Sequence, residues 1–266
     1  MELYERGTPN IWTDPHIRQQ LVKAHLDPDT EAASRNPTAV RETVEWVLRG
    51  TAEPGKLIDL GCGPGLYAEA YAAKSWDVCG VDINAASLEH ARNSAARKGL
   101  SIRYREASYL ESFTDETFDI GTCIYCDFGA LVPQQQARFL ENARRLIVPG
   151  GYLVLDVFGP GISQTKTEAK TWTRNDEPGF WSNRPCYVLT EIAHFPDERV
   201  WGHKYIVITD DRETQSFVIW DHYFTEPEIT TILEQSGFVV EEIERNLIAK
   251  NDFAAGDVLF VRARRR

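Results

Sequence analysis

Between residues 56 and 158 the sequence alternates short apolar runs with segments of helical patterning. The apolar runs read KLIDL, DVCGVDI, IRYREA, FDIGTCIY and YLVLDVF. Helix-like segments follow the first, second and fourth runs and read LYAEAYAAKS, NAASLEHARNSAARKG and PQQQARFLENARRLIV. Strands that alternate with helices form a parallel sheet with helices on both faces. We therefore predict an α/β fold with a doubly wound sheet.

A different pattern follows residue 159. Residues 160–185 are polar and contain Gly, Pro and aromatic residues, which predicts a loop. The runs CYVLTEIAH, VWGHKYIVIT and QSFVIWDHYF, separated by turn-like FPDE and DDRE, predict an antiparallel meander. A helix with Thr225 at its N-cap and two strands, VVEEIERN and DVLFVRA, are predicted next. Before the alternation, one helix is predicted within DPHIRQQLVKAHL and another after Asn36.

The charge balance disfavours nucleic acid as a partner. The chain carries 29 basic and 40 acidic residues, a formal charge of -11, whereas nucleic-acid binders need a basic surface to neutralise phosphates. No apolar run approaches the roughly 20 residues of a membrane helix, so no membrane partner is expected. The first residues, MELYERGTPNIW, are acidic and polar and do not resemble a signal peptide. A small or uncharged substrate is favoured over a polyanion.

The cysteines predict a reducing compartment and no metal site. The chain has five of them, an odd number without the spacing of a disulfide framework, which favours a cytoplasmic location. Cys123 and Cys126 form a single C-x-x-C motif within or at the end of a predicted buried strand. A zinc site needs further ligands at matched spacing, so we interpret both as core thiols.

The turn GCGPG after the first strand indicates a ligand site. Gly61, Gly63 and Gly65 alternate there, and glycine is used where φ is positive or a ligand approaches closely. A P-loop would continue with Gly-Lys-Ser/Thr, and a dinucleotide site would read G-x-G-x-x-G. Asp59, two residues before the first glycine, would repel a pyrophosphate. Its carboxylate suits a ligand with a cationic end.

Residues at the ends of the next strands complete the predicted site for this ligand. Asp82, with Ile83 beside it, ends the second strand, where a carboxylate accepts hydrogen bonds from both ribose hydroxyls. Glu106 and Ala107 follow the third strand, where an adenine edge can bind, and Tyr125 is predicted to end the fourth. A cation, a ribose and an adenine without phosphate describe S-adenosylmethionine.

At these positions the chain resembles the class I S-adenosylmethionine-dependent methyltransferases. The matching segments are DLGCGPG, the acidic Asp82, EASYL where the family often has D-A-x-x-L, and ARRLIVPGGYLVLDVF. The resemblance covers residues 37–160 and 225–266. It implies a seven-stranded Rossmann-like sheet in which Asp59 and Gly61 face the methionine portion of the cofactor, Asp82 the ribose, and Glu106 with Ala107 the adenine.

The same resemblance implies a division of the chain. Residues 37–160 and 225–266 form the cofactor-binding core, residues 1–36 form an N-terminal helical lid, and residues 161–224 form an antiparallel β insertion after strand five that covers the substrate site. The predicted function is methyl transfer to a small-molecule nucleophile by in-line displacement. A protein or RNA methyltransferase and a non-catalytic S-adenosylmethionine-binding regulatory module are the alternatives that stay open.

Candidate catalytic and substrate-binding residues lie around the predicted cofactor edge. Asp127 follows the fourth strand, and His222 and Tyr223 end the meander, where a base or a pocket wall is expected. Aromatic residues of the lid and the insertion are predicted to contact the substrate, because aromatic rings bind cations and apolar ligands. These substrate-contact candidates are Tyr4, Trp12, Trp172 and Trp181.

Overall fold

The computed structural model of the chain describes residues 1–27, 29–51, 53–245, 247–248 and 257–266. The helices within them are α1 (Ile17–Leu26), α2 (Pro37–Val47), α3 (Leu66–Ala72), α4 (Ala85–Arg97), α5 (Asp127–Ala130), α6 (Pro133–Leu146), α7 (Ile162–Thr165) and α8 (Glu226–Gln235). The strands are β1 (Lys56–Leu60), β2 (Asp77–Asp82), β3 (Ile102–Glu106), β4 (Phe118–Cys123), β5 (Ile147–Phe158), β6 (Ala169–Asn175), β7 (Cys186–Phe195), β8 (Val200–Thr209), β9 (Thr214–His222), β10 (Phe238–Glu244) and β11 (Val258–Arg265). Among the described helices, none has the length and apolar character needed to cross a membrane.

The main sheet has seven strands in the order β10-β11-β5-β4-β1-β2-β3. Along this order, the five strands β5, β4, β1, β2 and β3 pair in parallel with their neighbours. Strand β11 runs antiparallel to both β5 and β10. Apolar clusters fill both faces, as expected for a sheet covered by helices on either side. This confirms the predicted doubly wound sheet. One boundary differs, because β4 ends at Cys123 and Tyr125 lies in the turn that follows.

The second sheet is an antiparallel meander of four strands, β6-β7-β8-β9. The three predicted strands are present as β7, β8 and β9. The prediction of a loop over residues 160–185 was wrong for β6, Ala169–Asn175. This edge strand exposes most of its side chains, so its sequence, AKTWTRN, lacks the apolar alternation that marks a half-buried strand.

Local side-chain contacts fix where the predicted helices begin. The Asn36 side chain accepts a hydrogen bond from the Ala39 N–H at the start of α2. Thr225 and Glu228 form a reciprocal capping box at the start of α8. Both caps satisfy N–H groups that the first helical turn leaves free, and both confirm the sequence prediction.

Residues 1–36 contact both sheets. Helix α1 packs against α4 of the main layer, where the Asn84 side chain donates to the Arg18 carbonyl oxygen at 3.3 Å. Thr8 pairs with Ser216 at the free edge of β9, since each backbone N–H donates to an oxygen of the other residue. The N-terminal segment therefore joins the meander to the cofactor half of the main sheet.

A buried ion pair fixes the end of this segment to the centre of the fold. The Arg35 guanidinium bonds the carboxylate of Asp156 in β5, and neither side chain is exposed to solvent. The guanidinium also lies 5.0 Å from the ring centroid of Phe260. Burial alone would lower the pKa of Arg35, but the charge of Asp156 raises it above its ordinary value, so Arg35 keeps its charge.

Removing one partner of this pair should destabilise the fold strongly. Asp156→Asn leaves a buried guanidinium without its counter-charge, and the expected loss in the free energy of unfolding is about 3–5 kcal/mol. Urea denaturation without cofactor measures it. Asp210→Asn is the matched control, because it removes the exposed carboxylate that bonds Arg174 and should cost less than about 1 kcal/mol. Equal losses in the two variants would contradict a structural role for the buried pair.

Candidate active site

The glycine turn lies between β1 and α3, at the carboxyl edge of the main sheet. All three glycines adopt left-handed backbone angles, with φ of +78° at Gly61, +51° at Gly63 and +88° at Gly65. The Gly61 N–H donates to the Val81 carbonyl oxygen at 2.8 Å, which holds the turn against β2. A Cβ at Gly61 would stand 2.7 Å from the Asp127 Oδ2, so only glycine fits without displacement.

Asp59 presents a carboxylate oxygen that nothing in the described chain satisfies. Its side chain is buried in β1, and Oδ1 accepts a hydrogen bond from the Thr122 hydroxyl at 2.8 Å. Oδ2 is buried and has no hydrogen-bond partner among the described residues. Burial raises the pKa of Asp59 to about 7. A cationic group bound here would satisfy Oδ2 and favour the ionised carboxylate.

Asp82 closes the other side of the turn. Its Oδ2 accepts from the Gly63 N–H and its Oδ1 from the Asn84 N–H, both at 2.7 Å. Burial raises the pKa of Asp82, although hydrogen bonds from the backbone at Asn84, Gly63 and Ile83 oppose that rise. Each carboxylate oxygen accepts more than one hydrogen bond, so this geometry leaves capacity for the hydroxyls of a ribose.

The predicted adenine residues lie next to Asp82. Glu106 is its register neighbour on β3, and the Ala107 N–H donates to the Asp82 carbonyl oxygen at 3.0 Å. Glu106 is exposed, and Ala107 packs against the edge of the apolar core. The structure thus brings the predicted ribose and adenine residues to one point at the sheet edge.

The turn between β4 and α5 has an uncommon backbone. Tyr125 and Cys126 have φ of +82° and +58°, in the left-handed region that glycine usually occupies. The Tyr125 hydroxyl donates to the Glu31 carbonyl oxygen, and the Cys126 N–H donates to Asp156 Oδ1 at 2.9 Å. The N-terminal segment and β5 therefore hold this turn from two sides.

Asp127 follows this turn and lies against the glycine turn. The Tyr109 hydroxyl donates to its Oδ2 at 2.7 Å. Burial raises the pKa of Asp127 to about 6, while the hydrogen bond from Tyr109 lowers it. The carboxylate is therefore mainly ionised at neutral pH, beside the position that the resemblance assigns to the methionine portion of the cofactor.

Two residues that sequence reasoning missed come from the N-terminal segment. Arg35 has two buried nitrogens, Nε and Nη1, without a hydrogen-bond partner among the described residues, so it can bind a carboxylate. His25 lies over the glycine turn, where a Cβ at Gly63 would stand 3.4 Å from its Cε1. Its Nδ1 bonds the Ser34 hydroxyl at 2.7 Å, and burial lowers its pKa to about 4. Neither residue belongs to a motif, so the sequence carries no signal for it.

The structure joins the predicted catalytic His222 to the predicted substrate residue Tyr4. His222 Nδ1 lies 2.7 Å from the Gly129 carbonyl oxygen, which only accepts, so Nδ1 carries a proton. The Tyr4 hydroxyl bonds Nε2 at 3.0 Å, and the two rings stack with centroids 5.6 Å apart. Burial lowers the pKa of His222. Tyr223, also predicted to be catalytic, bonds His194 through its hydroxyl at 3.0 Å.

The predicted substrate-contact tryptophans are not brought together. Trp181 packs against Tyr205 and Phe217 of the second sheet, with ring centroids 4.4 and 5.9 Å away. Trp12 is 36% exposed. Trp172 lies in β6 and not in a loop, and it is 67% exposed. The exposed position of Trp172 on β6 does not support its predicted contact with the substrate.

The sheet order, the glycine turn and the carboxylates at the ends of β1 and β2 are those implied by the resemblance to the class I S-adenosylmethionine-dependent methyltransferases. Residues 57–151 match the family described as "Methyltransferase domain". The predicted resemblance is thereby confirmed, and S-adenosylmethionine is the cofactor of this class. The unpartnered oxygen of Asp59 fits the ammonium group of this cofactor, and the carboxylate of Asp82 fits its ribose.

Individual relatives agree with this assignment. A ubiquinone biosynthesis O-methyltransferase from Histophilus somni is 30% identical over 144 residues, 51% of this chain and 58% of that protein. The chain thus aligns with little more than half the length of this relative. The CcbJ methyltransferase from Streptomyces caelestis superposes with a TM-score of 0.69 and 18% identity over 94% of this chain and 98% of its own. The 1,6-didemethyltoxoflavin-N1-methyltransferase from Burkholderia thailandensis has a TM-score of 0.59 and 16% identity over 94% and 87%.

Cofactor binding should depend on the charge of Asp59. Because its pKa in the free protein is about 7 and a bound ammonium favours the ionised form, affinity should rise from pH 6 to pH 8 and binding should release protons near pH 7. Titration calorimetry in buffers of different ionisation enthalpy measures this release.

The variant Asp59→Asn should bind weakly and without proton release. A folded-state pKa above the ordinary one makes ionised Asp59 destabilising, and this penalty grows as pH rises from 3.8 to about 7. The cofactor-free variant should therefore be more stable than the wild type at pH 8, on the order of 1–3 kcal/mol. Unchanged proton release in Asp59→Asn would contradict the assignment of Asp59 to the ammonium group of the cofactor.

Proposed function

We propose that this chain transfers a methyl group from S-adenosylmethionine to a small-molecule nucleophile by in-line displacement. The observation that carries the proposal is the buried, unpartnered Oδ2 of Asp59 beside the glycine turn. The named relatives support a small acceptor: one is a ubiquinone biosynthesis O-methyltransferase, and another was solved with bound 1,6-didemethyltoxoflavin. The formal charge of -11 supports the same conclusion against a nucleic-acid substrate.

The segments outside the core are proposed to enclose the acceptor. Residues 1–36 are the proposed lid, since His25 covers the glycine turn and Glu31 contacts the turn after β4. Residues 161–224 carry the second sheet, whose last strand continues into the main sheet through a bridge between Phe158 and Tyr223. An enclosed edge of this kind excludes water and admits a small molecule more readily than a folded macromolecule.

The protein's part in the reaction is binding, alignment and charge. When bound, S-adenosylmethionine supplies a methyl group on a sulfonium cation with a neutral leaving group. We propose that Asp59, Arg35 and Asp82 hold its amino-acid and ribose ends, with Ile83, Glu106 and Ala107 at the adenine and Tyr125 beside the methionine portion. The Asp127 carboxylate lies against Gly61 and favours a cation at that place. Alignment of acceptor and methyl group lowers the barrier by several kcal/mol.

The cofactor site is tested by calorimetry with S-adenosylmethionine and S-adenosylhomocysteine. Asp82→Ala should weaken both by about 1.5–3 kcal/mol, because charge-assisted hydrogen bonds to the ribose are lost. Asp77→Ala is the matched control on the same strand, since Asp77 is exposed at the opposite end and pairs with Arg103. A screen of a metabolite library by mass spectrometry then identifies the methylated acceptor. Wild-type protein that binds neither ligand would refute the proposal.

Tyr4 and His222 are proposed to act as one unit that holds the N-terminal segment over the acceptor. His222→Ala and Tyr4→Phe should then raise KM to a similar extent and leave kcat within a few-fold, and the double variant should be no worse than either. Steady-state kinetics on the identified acceptor measures this. If His222 is a base, as the sequence predicts, the same kinetics should give a different result: His222→Ala alone should lower kcat by ~100-fold or more.

A further inference from the structure

One face of the second sheet carries an exposed apolar patch. Residues that lie directly opposite each other on paired antiparallel strands share a face of the sheet. The register pairs Trp172 with Leu189 and Leu189 with Ile206, and in the next row it pairs Tyr187 with Ile208. Trp172 is 67% exposed, Tyr187 42% and Leu189 38%, and both isoleucines are partly exposed. We call these five residues the outer patch.

The opposite face of the same sheet is buried in the fold. Val188 of β7 pairs with Val207 of β8, one position along from residues of the outer patch. Both valines form a buried cluster with Phe217 of β9 and Ile17 of α1. Successive side chains of a strand point to opposite faces, so the outer patch points away from this cluster. The hydrophobic core therefore does not explain why these five side chains are apolar.

A row of charged side chains borders the outer patch. The register places Lys170, Glu191 and Lys204 side by side on the same face. Lys170 and the Met1 ammonium both pair with Glu191 Oε1, at 3.0 and 2.8 Å, and Lys204 pairs with Glu5 of the N-terminal segment. An apolar centre with a polar rim is the usual composition of a protein interface.

The outer patch continues to an open strand edge. Within the described part of the chain, β6 pairs with β7 alone, so the other edge of Ala169–Asn175 has no neighbouring strand. The N–H and C=O groups on such an edge can pair with a strand of another chain. Trp172 lies on β6 itself, and Leu189 lies on the adjacent strand. A partner that fits both features brings a strand and an apolar face together.

We propose that a second copy of this chain binds the outer patch, and that the two β6 strands pair antiparallel about a twofold axis at Thr173. The two four-stranded sheets then form one continuous sheet of eight strands. A twofold axis presents the same edge and the same patch from both sides, which is the arrangement of most symmetric dimers. This inference goes beyond the proposed function and does not depend on the reaction.

The charges along β6 select this register. Pairing about Thr173 places Lys170 opposite Asp176 of the second copy, and Trp172 opposite Arg174 of the second copy. The first contact is an ion pair and the second a cation–π contact, and each occurs twice. Asp176 is available for it, because its side chain is 79% exposed although it bonds Arg174 of its own chain. Pairing about Trp172 would instead oppose Lys170 and Arg174, two like charges, which is unfavourable.

The oligomeric state tests the inference. Sedimentation equilibrium of the wild type should show a dimer, and Trp172→Glu and Leu189→Glu should each weaken dimerisation by ~10-fold or more, because they bury a charge in the apolar centre. Leu26→Glu is the matched control and should leave the dimer intact, since Leu26 ends α1 and is also 38% exposed. Cooperative unfolding in urea shows that each variant is folded.

Two results of this experiment would overturn the inference. A wild-type protein that remains a monomer at high concentration would leave the outer patch to another occupant, such as an extended peptide. A dimer that persists in both Trp172→Glu and Leu189→Glu would place the second copy on another surface.

Disulfide cross-linking tests the twofold axis. Directly opposed Cα atoms of antiparallel strands lie about 4.5–5.5 Å apart, a distance that a disulfide spans. Thr173→Cys should therefore give a covalent dimer on mild oxidation. Thr171→Cys is the control and should not, because its two copies would lie about 13 Å apart along the strands. The five native cysteines are buried, so the wild type should not cross-link. Failure of Thr173→Cys to cross-link, or a cross-link through Thr171→Cys, would refute pairing about Thr173.

Discussion

The concentration of carboxylates at one edge of the main sheet is the constraint on which the site depends. Asp59 and Asp156 are buried and Asp82 and Asp127 partly buried at the ends of β1, β2, β4 and β5, and Arg35 forms an ion pair with one of them, Asp156. Desolvation disfavours the charged form of a carboxylate. Burying these carboxylates at the sheet edge therefore destabilises the fold until cations and hydroxyl donors reach them. A ligand with an ammonium, a sulfonium and a ribose provides those groups, and binding should therefore stabilise the fold.

The N-terminal segment depends on the same edge. Arg35 bonds β5, Glu31 accepts from the turn after β4, and His25 covers the glycine turn. Further along, Thr8 pairs with the free edge of β9. These contacts connect positions far apart in the chain, so we expect cofactor binding, closure of the proposed lid and placement of the second sheet to be coupled through the first 36 residues.

Local patterns account for the parts of the fold that the sequence predicts. Apolar runs and helical periodicity locate β1 to β5, and Asn36 and Thr225 mark helix starts because their side chains act within one turn. The sequence pattern does not predict strand β6, because most of its side chains are exposed. The contacts of Lys166 with His203 and Asp221 are not predicted for another reason: the pairing of β8 with β9 and the position of α7 create them, and no local sequence pattern records such contacts.

The backbone of Tyr125 and Cys126 has a mechanical consequence. Left-handed angles cost a residue with a Cβ about 1–2 kcal/mol each, so the turn after β4 stores conformational energy that glycine would not. The contacts of Tyr125 with Glu31 and of Cys126 with Asp156 keep it in that state. The contact with Glu31 belongs to the proposed lid, so opening of that lid would remove one of these restraints. We therefore expect the strain of this turn to favour the open state and to assist product release.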